Sequence, residues 1–200
     1  MNDERSARLF LLSPANVGGR RGDLLRTSRN IELGARLRSP EGVGIGEIYR
    51  FISGLYFRGK LAYAEHFAPG RSYVITPCRG LLPPETPLTY DDFDALGRVA
   101  IDADEPRYLE PLVRDLARVA ATWPGEVVLL GSVASPKYTR PLLDALGARL
   151  LFPATFVGRG DMSRGGVLLR AVRAGQELEY VPVAGAVLRG SRPPKLPRER

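Results

Sequence analysis

Apolar positions along this 200-residue chain fall into short blocks separated by segments rich in glycine, proline and arginine. Residues 7–12 (ARLFLL), 72–76 (SYVIT), 126–130 (EVVLL) and 148–152 (ARLLF) are short, continuous apolar runs bounded by turn residues. That pattern predicts buried strands. A fifth strand is expected within 177–188 (ELEYVPVAGAVL). Helical spacing replaces it from about Gly54 to Phe67, where Tyr63 and Phe67 share a face. Residues 111–122 (PLVRDLARVAAT) predict an amphipathic helix with Pro111 near its first position. A further helix is expected over 139–145, closed by Gly147, and another after the glycine-rich stretch at 158–166. Thr89-Tyr-Asp-Asp92 has the form of a helix start, with Asp91 or Asp92 capping it or sitting in its first turn.

Strand, loop, helix and strand follow one another from 126 to 152, which describes a short βαβ unit. The expected fold class is therefore α/β: a single three-layer domain with a mixed, mostly parallel sheet and helices on both faces. The domain is expected to span residues 1–190, followed by a basic tail rich in Pro and Arg over 191–200. Residues 24–47 are weakly patterned, and GVGIGEI (42–48) is read as loop, because no strand precedes it to complete a dinucleotide fingerprint.

Several loops that follow strands carry chemistry. In open α/β sheets, ligands collect beyond the carboxyl ends of the strands. The first such loop, NVGGRRGD, holds Arg20, Arg21 and Asp23. A second places Cys78 and Arg79 after the strand at 72–76. A third, GSVASPKY, brings Ser132, Lys137 and Tyr138. The fourth is the richest, with Gly158, Arg159, Gly160, Asp161, Ser163 and Arg164 ahead of a helix. Backbone N–H groups at a helix N-terminus favour an anion, and arginine adds bidentate charge. The two glycine–arginine loops are expected to meet at one edge of the sheet.

Net charge is +7, and lysine occurs only at Lys60, Lys137 and Lys195, so arginine supplies nearly all of it. Either a phosphate-bearing partner or arginine-favouring codon usage accounts for this. One cysteine and one histidine exclude both an internal disulfide and a Cys/His zinc site. No metal site is assigned, and the cofactor stays unknown. No apolar run reaches 18 residues, so no membrane partner is expected and the cytoplasm is the default location.

Candidate reactive groups are few. GSVASPK lacks the spacing of a Walker A loop. A Ser132–Lys137 pair would be strained by the intervening Pro136. A triad would depend on His66, which lies beside Glu65 on the outer side of its expected helix. Cys78 reads as structural. Asp161 is the candidate catalytic residue: it either accepts from a base or ribose and activates water, or closes its own loop against Arg159 or Arg164.

The order of segments resembles that of small bacterial α/β domains in the broad YaaA-like group. The resemblance rests on the turn Arg79-Gly80-Leu81-Leu82-Pro83-Pro84, the pair Tyr90-Asp91, the run from Gly131 to Tyr138, and the glycine-rich loop from Gly158 to Gly166. Ser13-Pro14-Ala15-Asn16 stands where that group has a Ser-Cys-x-Lys-x-Lys-like opening. The resemblance implies work on nucleic acids or nucleobases. The expected function is binding of a phosphate-bearing nucleotide, nucleobase derivative or nucleic-acid end in a pocket lined by Arg20, Arg21, Arg79, Ser132, Lys137, Tyr138, Gly158, Arg159, Gly160, Ser163 and Arg164, with turnover left open. The alternative is a non-catalytic, salt-sensitive accessory protein that binds DNA or RNA.

Overall fold

The computed structural model describes residues 8–28, 30–134, 136–187, 190, 191, 193, 194 and 196. A six-stranded sheet runs through the middle. Its order is β4 (Leu81–Leu82), β3 (Ser72–Ile75), β1 (Arg8–Leu12), β6 (Glu126–Leu130), β7 (Leu150–Pro153), β8 (Tyr180–Pro182). The four central strands are parallel, and β4 and β8 pair antiparallel at the edges. The sheet is thus mixed and mostly parallel.

Strand alternation decides the layers. In β1, Phe10 and Leu12 face one side and Leu9 and Leu11 the other; in β6, Val128 and Leu130 oppose Val127 and Leu129. The first face is covered by α3 (Ile45–Ser53), α4 (Leu55–Phe67), α8 (Asp161–Ala174) and the shorter α1 (Arg20–Thr27), α2 (Glu32–Leu37) and α5 (Tyr90–Gly97). The second face is covered by α6 (Pro106–Thr122) and α7 (Pro136–Leu146). Two fully apolar faces explain why these strands read as unbroken apolar runs.

Several expectations are corrected. Residues 24–47, read as weakly patterned, hold the second half of α1 and all of α2. Arg38 binds them together by donating to the carbonyls of Gly34, Leu25 and Arg26, closing helix ends that apolar periodicity alone does not signal. Val43–Gly44 is a strand, β2, paired antiparallel with β5 (Pro87–Leu88), and α3 starts directly after it. The helix expected from Pro111 begins at Pro106 instead. Glu105 caps it by accepting from the Arg107 N–H, and Pro111 lies inside. The helix expected at 139 begins at Pro136. Of 177–188 only Tyr180–Pro182 is strand; Gly185, at φ +75°, follows in a turn, and Leu188 lies outside the described residues. Thr89 does cap α5, in a reciprocal box with Asp92.

Candidate functional site: a cleft at the strand ends

β1 and β6 end side by side, at Leu12 and Leu130, in parallel register. The chain turns outward at both ends, and helices start above them. α1 begins at Arg20, α7 at Pro136 and α8 at Asp161. All three first turns border one cavity of about 510 Å³, through Gly19, Arg20 and Arg21 from α1, Lys137 and Tyr138 from α7, and Asp161 from α8. Its floor includes Ser13 and Tyr56, and Ser132 completes the β6 side. A second cavity of about 470 Å³ shares Asn16, Lys137, Tyr138 and Asp161, and extends toward Pro77 and Val99. The two are lobes of one cleft. First-turn N–H groups have no partner within their helix, so three helices bring dipole and donors to one place.

The expected site residues divide accordingly. Arg20, Arg21, Ser132, Lys137, Tyr138 and Asp161 come together at the cleft. The remaining candidates are not among the residues that line its two lobes. Arg79 turns to Asp92 at 2.7 Å. Arg159 donates to the Thr155 carbonyl, the Ser163 hydroxyl and the Pro194 carbonyl, so it fastens its own loop to the tail. Gly158 has φ +72°, and a Cβ there would stand 2.2 Å from the Ser191 carbonyl oxygen, so this glycine serves chain packing. Gly160 is the N-cap of α8, and Ser163 lies within its first turn. Arg164 is buried below the cleft, donating to the Phe156 carbonyl and pairing with Asp161 at 3.3 Å. The two glycine–arginine loops thus border one cavity, through Arg20 and Asp161, while Arg159 points to its own backbone.

Beneath these loops lies a residue that loop composition does not signal. Lys60 of α4 is 1% exposed, with no carboxylate in its hydrogen-bonding shell among the described residues. Its Nζ donates to the Ser13 carbonyl oxygen at 2.6 Å and meets the Ser13 hydroxyl at 3.0 Å. The rings of Tyr56 and Phe57 lie 4.3 and 4.9 Å away, as cation–π partners. Burial lowers the Lys60 ammonium to about 7; Asp161 opposes that shift and Arg164 adds to it. Tyr56 is 5% exposed, and its hydroxyl has no hydrogen-bond partner among the described residues. Burial holds that phenol well above its ordinary range, with Arg164 working against the rise. Tyr138 is pushed up to about 12 by burial and by Asp161. One signal for Lys60 was present: positions 56, 57, 60, 63 and 64 form the buried stripe of α4, and the lysine stands in the middle of it.

The other reactive side chains are accounted for elsewhere. Cys78 is half-buried, and burial raises its thiol despite the neighbouring Arg79. His66 is exposed and packs edge-on against Phe67. Asp23 pairs with Arg26. Among the described residues there is no group of three or more His, Cys, Asp or Glu placed to hold a metal ion. None of the described helices is long and apolar enough to cross a membrane. A wider groove of about 1060 Å³ runs along α1, α3 and α4, and Arg21 borders both it and the cleft.

No family model matches this chain, and neither does any curated protein or solved structure.

Proposed function

We propose that the cleft binds a phosphate-bearing nucleotide, nucleobase derivative or nucleic-acid end. The observation that carries this reading is the meeting of three helix N-termini with Arg20, Arg21 and Lys137 around one cavity. An anion there gains from N–H donors, from the helix dipoles and from side-chain cations together. Buried Lys60 lies against Ser13 and the Tyr56 ring of that floor, and buried Arg164 pairs with Asp161. Asn16, Ser132 and Asp161 supply the neutral and accepting contacts that a ribose or base requires. The resemblance of the segment order to that of the YaaA-like group points to the same ligand class.

The alternative, a salt-sensitive nucleic-acid binder acting through bulk charge, has the net charge of +7 in its favour. Part of the arginine is already paired with carboxylates, however. Arg8, Arg26, Arg36, Arg79, Arg98, Arg107, Arg114 and Arg164 each sit in an ion pair. A thermal-shift screen of mononucleotides, dinucleotides, free nucleobases and short oligonucleotides tests the choice. A stabilising shift with a small phosphate-bearing ligand at moderate salt, lost in Lys137→Ala, supports the cleft. A shift with oligonucleotides alone, vanishing as salt rises, supports the alternative.

A further inference from the structure

We propose that Ser13 and Lys60 form a nucleophile–base pair that hydrolyses an ester carried by the phosphate-bearing ligand of the cleft. This rests on the ligand reading above for its substrate and on separate geometry for its chemistry.

A serine nucleophile needs three things: access to the ligand, a base within hydrogen-bond reach, and something that fixes the base. Ser13 is the first residue beyond β1 and forms part of the wall of the 510 Å³ cavity. Lys60 Nζ lies 3.0 Å from its hydroxyl. The ammonium is fixed by the Ser13 carbonyl oxygen at 2.6 Å and by the ring faces of Tyr56 and Phe57. The competing acceptor for the Ser13 hydroxyl, the Leu130 carbonyl oxygen, is farther away at 3.4 Å. The groups that act on Lys60 are few: Asp161 favours its charged form, whereas Arg164 and burial favour the neutral form. A lysine neutral near pH 7 is a competent general base. In that state it accepts the Ser13 O–H.

The reaction balances with water as the only co-reactant. Ser13 Oγ bonds to the ester carbonyl carbon while its proton passes to Lys60 Nζ. The ester C–O bond breaks, and Lys60 returns the proton to the departing alkoxide. Water then adds to the acyl carbon, giving its proton to Lys60, and the Ser13 Oγ–C bond breaks. Oγ recovers the proton from Lys60.

The test is labelling of the full chain with an alkyl fluorophosphonate, located by peptide mass spectrometry, beside the pH–rate profile for p-nitrophenyl acetate. The expected adduct is on Ser13 and absent from Ser13→Ala. The labelling rate should rise through pH 7, and Lys60→Met should lower it by about 100-fold or more. Should Lys60→Met fail to fold, the wild-type pH profile and the adduct position still decide. No adduct, an adduct elsewhere, or a rate that is flat between pH 6 and 8 overturns the proposal. A nucleotide-induced thermal shift without a Ser13 adduct rejects the pair and keeps the ligand reading. An adduct without any such shift does the reverse.

Discussion

Gly59 of α4 and Gly165 of α8 meet backbone to backbone. A Cβ on Gly59 would stand 2.9 Å from the Gly165 carbonyl oxygen, and one on Gly165 would stand 2.8 Å from that of Leu55. This contact sets how close the two helices lie. It therefore holds α4, whose Lys60 reaches Ser13, close against the first turn of α8, which carries Asp161 and Arg164.

Gly165→Ala should consequently act on both stability and the cleft. The added methyl meets backbone on α4, which cannot swing aside as a side chain can. A loss of roughly 1–3 kcal/mol is expected, the cost typical of overpacking. Chemical denaturation measures it, and the nucleotide-induced thermal shift should weaken in parallel. Gly175→Ala does not serve as a comparison, because Gly175 sits at φ +61°.

Lys60 makes stability depend on pH with a definite sign. Its folded value, about 7, lies below the ordinary value of 10.5 that it regains on unfolding. Between those two values the unfolded chain binds more protons, so this group adds stability as pH rises from about 7 toward 10.5. Below the folded value, its destabilising effect is fully present. The free energy of unfolding of wild type, measured against Lys60→Met across pH 6–10, should climb relative to the variant. A constant difference would contradict the burial argument.

How much of this was legible beforehand follows from the physics of each part. The β1 and β6 strands announced themselves because both their faces are buried, leaving uninterrupted apolar runs. The ends of those strands were equally readable, and with them Arg20, Ser132, Lys137, Tyr138 and Asp161. Which of the glycine-loop arginines faces the cleft was not readable. Arg159 is claimed by the Thr155 carbonyl and the tail, contacts that no local pattern encodes. α1 and α2 were missed because the Arg38 guanidinium, rather than apolar periodicity, completes them. Lys60 was passed over because a lysine on a helix is normally solvated. Only the packing of α4 against α8 shows it enclosed.

Tyr56→Phe should be neutral to stabilising in the free protein. The hydroxyl is buried without a described partner, so removing it relieves a desolvation cost of about 1 kcal/mol. The same variant should bind phosphate-bearing ligands as wild type does, because the hydroxyl itself is closed off from the cavity. Thermal melts with and without ligand check both outcomes.

Asp115 of α6 carries a structural duty on the opposite face. It is 7% exposed and accepts from the Leu81 N–H at 3.0 Å, holding the β4 edge to the helix. Asp115→Ala leaves that buried N–H unpaired and should cost roughly 1–3 kcal/mol. Because Asp115 lies away from the cleft, ligand affinity measured on the folded fraction should be unchanged.

The most direct test of the cleft is calorimetric titration of one small phosphate-bearing ligand, a nucleoside monophosphate found by the screen, into three proteins. These are wild type, the double variant Arg20→Ala/Lys137→Ala, and Arg159→Ala. Binding to wild type and Arg159→Ala with similar affinity, and loss of 10-fold or more in the double variant (about 1.4 kcal/mol or more), is the predicted result. Equal binding to the double variant, or loss confined to Arg159→Ala, would contradict the account and move the anion site to the loop at Arg159.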